Sequence, residues 1–153
     1  MIFIKCFQGN KEGGFFLSRW MSIDYGEKRI GVAITDPLRM FASPFATIKH
    51  KGDAYIFSEL EKLVIQNRIE KIIVGLPMNL KSEDTKKTVE VRLFYEKLTK
   101  EINVPAELYD ERYSTSDASD LLKEKGLSIK DSRNVIDQVA AAVILRNYLQ
   151  NFK

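Results

Sequence analysis

Apolar and polar positions alternate along this chain in two rhythms, and the switches between them mark out its elements. From Phe15 to Asp24 the pattern is strand-like and ends in Asp24-Tyr25-Gly26, where the glycine permits a tight turn. Ile30 to Thr35 is a second apolar run, broken by Asp36-Pro37, so the two runs form a hairpin. Phe45 to Ile48 suits a third strand. Ile56, Leu60, Leu63 and Val64 then recur at helical spacing and predict a helix over about 54–67. Lys71 to Gly75 is short and apolar, ended by Gly75 and Pro77, as a buried strand would be. A helix is expected from Ser82, with Val91, Phe94, Leu98 and Ile102 on one stripe. Ala106 to Asp110 reads as a fifth strand. Ser114 and Asp117 have the capping-box form, for a helix that stops at Gly126, and a last helix starts near Asp131-Ser132. The order β-β-β-α-β-α-β-α-α predicts an α/β fold, a mixed five-stranded sheet with helices on both faces.

Residues 1–14 stand apart, with no clear period and with turn signals at Gly9-Asn10 and Gly13-Gly14. They read as an N-terminal extension to a single domain over residues 15–153, and 153 residues suit one domain. The 44% of hydrophobic residues suffices for one buried core and argues against disorder. Cys6 is the only cysteine, so no internal disulfide can form and nothing points to an oxidising compartment. No apolar run approaches the ~20 residues of a membrane helix. Gln8, Asn10, Lys11 and Glu12 break the first segment too often for a signal peptide. The expectation is a soluble, cytoplasmic protein with no membrane partner. A net charge of +3 admits a nucleic-acid partner without demanding one.

The chemistry is carried by acids. Asp24 ends the first strand, while Asp110 and Glu111 end the fifth. In open α/β sheets ligands gather beyond the carboxyl ends of strands. In the last helix Asp137, Ala140, Ala141, Ile144 and Tyr148 share one face. A carboxylate on that apolar face is costly unless a cation meets it, and the two small alanines let the helix approach the sheet closely. Three acids without clustered His or Cys make a hard oxygen site, suited to Mg²⁺ or Mn²⁺ rather than Zn²⁺. Two such ions roughly 3.5–4 Å apart can activate water and stabilise a leaving oxygen in phosphodiester cleavage. His50, the only histidine, lies in a loop-like stretch and reads as a solvated residue rather than a base.

Four segments, taken in order, resemble the YqgF/RuvX family. They are Asp24-Tyr25-Gly26-Glu27-Lys28-Arg29-Ile30-Gly31-Val32-Ala33, Val74-Gly75-Leu76-Pro77-Met78-Asn79, Asp110-Glu111-Arg112 and Asp137-Gln138-Val139-Ala140-Ala141. The resemblance spans about residues 17–150. Members of that family are described as Holliday-junction resolvases and as nucleases that process the 5′ end of pre-16S rRNA. The resemblance implies a ribonuclease H-like fold and a divalent metal. It also implies that Asp24, Glu111 and Asp137 are the catalytic and metal-binding triad, and that Lys28, Arg29 and Arg112 contact substrate phosphates. Asn79 joins them as a candidate substrate contact. Two departures stand out: the loop after Asn79, Leu80-Lys81-Ser82-Glu83-Asp84, lacks the usual glycines, and Gln138 stands where a lysine is common.

Each residue also has a plainer reading. Asp24 alone suits a turn former, Glu111 a solvated partner of Arg112, and Asp137 a first-turn helix acid. Lys28 and Arg29 suit ordinary surface charges, while Asn79 and Gly75-Leu76-Pro77 suit loop formers. At the level of function, processing of structured RNA stands first and resolution of branched DNA second. A non-catalytic nucleic-acid-binding factor stands third. An actin-like nucleotide-binding module needs two domains, and Gly26-Glu27-Lys28-Arg29 lacks the hydroxyl usual in its phosphate loop. No dimer face is legible, so the oligomeric state stays open.

Overall fold

In the computed structural model, which describes residues 18–79, 81, 83–111 and 136–152, the chain opens with the expected meander. Strands β1 (Arg19–Asp24), β2 (Arg29–Thr35) and β3 (Ala42–Lys49) pair antiparallel in sequence order. Helix α1 (Asp53–Gln66) returns the chain to β4 (Ile69–Leu76), which lies parallel to β1. Helix α2 (Lys86–Glu101) then leads to β5 (Ala106–Asp110), parallel to β4, and α3 (Ile136–Phe152) follows. The sheet order is β3-β2-β1-β4-β5, so β1 is central and both crossovers extend the sheet on its β4 side.

The twofold alternation of each strand divides the core between two faces. Met21, Ile23, Val32 and Val74 point to the side covered by α1 and α2, where they meet Ile56, Leu60, Val91, Phe94 and Leu98. Trp20, Ala33 and Ile73 point the other way, onto Ala141, Ile144, Leu145 and Tyr148 of α3. Helices therefore cover both faces. The buried part of α3 is broader than one stripe, since Val139, Ala142, Val143 and Leu149 are buried as well. Two side chains fasten this helix to the sheet: Ser22 Oγ donates to the Ala141 carbonyl at 2.6 Å, and Gln138 Nε2 donates to Thr47 Oγ1 at 3.1 Å.

Several boundaries differ from expectation: β1 begins at Arg19, with Ser18 outside it, and β4 runs from Ile69 to Leu76 rather than from Lys71 to Gly75. The third strand runs from Ala42 to Lys49, not only from Phe45, because it pairs with β2 along its whole length. Helix α2 starts at Lys86 rather than near Ser82. Asn79 Oδ1 accepts hydrogen bonds from the backbone N–H groups of Lys81 and Glu83, which keeps that stretch in a loop. The cap falls to Thr85, whose hydroxyl accepts from the Thr88 N–H while Thr88 Oγ1 accepts from the Thr85 N–H. The extension at 1–14, the start of the first strand at Phe15, the helix over 114–126 and the helix start at Asp131-Ser132 lie outside the described residues. Among the described residues, no helix is long and apolar enough to cross a membrane.

Candidate active site

The site assembles at the carboxyl end of the central strand. Along β1, Trp20, Ser22 and Asp24 share the face turned toward α3, so the strand's alternation delivers the Asp24 carboxyl to that side. Its neighbour across the β1–β2 ladder is Gly31. A Cβ at Gly31 would overlap the backbone carbonyl of Asp137, so the missing side chain lets the first turn of α3 lie directly on the sheet. On the other flank of β1, the β4 residue Gly75 plays the same part. A Cβ there would overlap Ile144 Cδ1 and stand 3.2 Å from Glu111 Oε2. The backbone of Glu111 is fixed by its N–H, which donates to the Leu76 carbonyl at 3.2 Å. Two glycines thus open space on either flank of Asp24, one filled by the Asp137 backbone and the other bordered by Glu111 Oε2.

Crowding shows in the electrostatics. Burial pushes the Asp24 carboxyl up from its ordinary 3.8 to about 6; the nearby Lys87 ammonium opposes this shift and Asp137 adds to it. Burial likewise pushes Glu111 from 4.5 to about 7, with Asp24 and Asp110 adding and Lys87 opposing. Asp137 is tied to a cation already present: its Oδ2 accepts from Arg29 Nε at 2.8 Å. Among the described residues, no three His, Cys, Asp or Glu side chains stand close enough to ligate one ion directly. The donor set still fits a hard divalent cation. Asp24 and Glu111 offer half-buried carboxylate oxygens whose charge the fold disfavours, and Asp137 would exchange Arg29 for the cation.

Of the residues expected to touch substrate, Lys28 and Arg29 line a cleft of ≈ 450 Å³ beside Asp137. The Asn79 carboxamide is engaged in its own loop, accepting from Lys81 and Glu83 and donating to Glu83 Oε2 at 3.3 Å. Arg112 lies outside the described residues. His50 is half-buried rather than solvated, because its ring packs edge-on against Tyr25 and its Nε2 shares a hydrogen bond with the Tyr25 hydroxyl at 3.3 Å. Sequence reasoning missed Lys87. With the helix start placed at Ser82, Lys86 and Lys87 look like ordinary positions on a helix surface. With the cap at Thr85 they become the first turn, where both line the cleft and Lys87 acts on Asp24 and Glu111.

Residues 18–151 match the family model described as "RuvX: Holliday junction resolvase". A relative from Maridesulfovibrio salexigens, named "Putative pre-16S rRNA nuclease", is 39% identical over 129 residues, covering 84% of this chain and 96% of its own. One from Koribacter versatilis bears the same name and is 34% identical over 140 residues, 92% of each chain. Among solved structures, RuvC of Thermus thermophilus is similar with a TM-score of 0.55 at 13% identity, over 88% of this chain and 96% of its own. At that identity the likeness is one of fold, and the fold is ribonuclease H-like.

Proposed function

The chain belongs to the RuvX family, a family of nucleases, and we propose that it hydrolyses phosphodiester bonds at the 5′ end of pre-16S rRNA with the help of Mg²⁺ or Mn²⁺. One observation carries this reading: the carboxyl groups of Asp24 and Glu111 share a crowded, half-buried space at the strand ends, with Asp137 laid over Gly31 beside them. Asp24, which lies between the two glycine gaps, would hold the cation, with Glu111 and Asp137 as its further carboxylate donors. When bound, such cations activate water for attack on phosphorus and neutralise the leaving oxygen. Lys28, Arg29 and Arg112 hold backbone phosphates, and Arg29, paired here with Asp137, would be free to do so once Asp137 served a cation instead. Asn79 acts chiefly by shaping the loop that leads into α2. A cytoplasmic location goes with this substrate.

The resolvase activity after which the family is described favours a second reading, resolution of four-way DNA junctions. The test sets both substrates side by side. Purified protein with Mg²⁺ or Mn²⁺ is offered a pre-16S rRNA 5′ fragment and a synthetic four-way junction, with Asp24→Asn as control. Cutting of the RNA that is lost in the variant supports the first reading. Cutting of the junction alone moves the protein to the second. Cutting of neither overturns the catalytic reading in favour of a nucleic-acid-binding factor.

A further inference from the structure

We propose that Lys86 and Lys87, together with Lys28 and Arg29, grip a backbone phosphate of the nucleic-acid strand next to the phosphodiester being cut. This rests on the nuclease reading of the acids but concerns a different part of the surface, the first turn of α2. The cleft beside Asp137 is lined on one side by the β1–β2 turn, with Lys28 and Arg29, and on the other by Lys86, Lys87 and Glu90. Two separate elements therefore bring four cations to one opening. Glu27, Glu90 and Asp137 also line it, but Asp137 is already paired with Arg29. Among the described residues, the side chains of Lys28, Lys86 and Lys87 form neither an ion pair nor a hydrogen bond. The position of the lysines is unfavourable for the helix itself. The N-terminal end of a helix carries partial positive charge and favours acids, yet the first turn of α2 holds no acid and two lysines. An arrangement that works against its own helix, and leaves two exposed ammonium groups with no hydrogen bond or ion pair, suits an external anion. A phosphodiester strand supplies such anions at regular spacing. Lys87 also exerts its charge on both Asp24 and Glu111, so a phosphate gripped there lies next to the acids.

The experiment measures binding without cleavage. A fluorescently labelled pre-16S rRNA 5′ fragment is titrated with protein in EDTA at several salt concentrations, and log Kd is plotted against log salt. The Lys86→Gln/Lys87→Gln double variant should lower the slope by up to about 0.7 to 0.9, the share of one phosphate. Its thermal midpoint should stay close to that of the parent, because both side chains are exposed and the helix-end repulsion they relieve is offset by the lost attraction of Lys87 to Asp24 and Glu111. Lys97→Gln/Lys100→Gln removes the same charge further along α2 and should leave the slope unchanged. An unchanged slope in the first variant overturns the proposal, as does an equal fall in both. Failure here is separable from failure of the catalytic reading. Cleavage with no slope change sinks only this proposal, a slope change without cleavage sinks only the other, and no RNA binding at all sinks both.

Discussion

Asp24 holds its charge against the preference of the fold. Its carboxyl group titrates near 6 in the folded chain and near 3.8 when solvated, and Glu111 moves from 4.5 to about 7. Between those limits the folded state binds more protons than the unfolded one, so stability falls as pH rises through the window from about 4 to about 7. Asp24→Asn removes one of the offending charges. The variant should be more stable than the parent at pH 8 by roughly 2 kcal/mol, with the difference fading towards pH 4. Denaturant titrations of the cation-free proteins at both pH values check this, and a variant less stable at pH 8 would contradict it. The same substitution should abolish cleavage. Asp24 was legible in the sequence because a strand-ending acid before a glycine turn is a local pattern. Lys87 was not, because its meaning depends on where the helix begins, and that is decided by side-chain hydrogen bonds of Asn79 and Thr85.

Helix α3 reaches the acids only because the strands beneath it lack side chains at two places. Gly31→Ala sets a methyl group into the backbone of Asp137, which cannot yield without lifting the helix. A loss of about 1–3 kcal/mol and of most cleavage is expected, read by thermal melting and by turnover well below the midpoint. Gly75→Ala meets mainly the end of the Ile144 side chain, so its cost should be smaller and should shrink when Ile144→Val removes the δ-methyl group. Equal damage from both glycine substitutions, with no rescue, would refute this account. The approach of α3 was partly readable, since Ala140 and Ala141 beside Asp137 announced a close-packed helix. The matching vacancies on the strands were not read as such: Gly31 sat within a strand pattern, and Gly75 looked like a terminator.

The order of elements followed from periodicity, but the order of strands did not. Periodicity describes one element at a time, whereas the position of β4 beside β1 depends on the path of α1 across the sheet. The resulting sheet separates two cores, and they should differ in what they govern. Leu98 is 1% exposed on the α1–α2 side, so Leu98→Ala should cost about 2–5 kcal/mol while leaving turnover at low temperature close to normal. Denaturation and rate measurements on one preparation test the separation. The α3 side offers no such independence, because Trp20, Ala33 and Ile73 find their cover in the same helix that brings Asp137. This has a consequence for the timing of synthesis. Asp24 precedes Asp137 by more than a hundred residues, so the strand is made well before the helix that packs on it. Until α3 has been made and has docked, a growing chain has no cover for Trp20, Ala33 and Ile73 and no Asp137 to lay over Gly31, so the two faces of the sheet fill at different times. A chain ended at residue 135 should show no cleavage, and activity in that truncation would mean that the last helix is not part of the catalytic assembly.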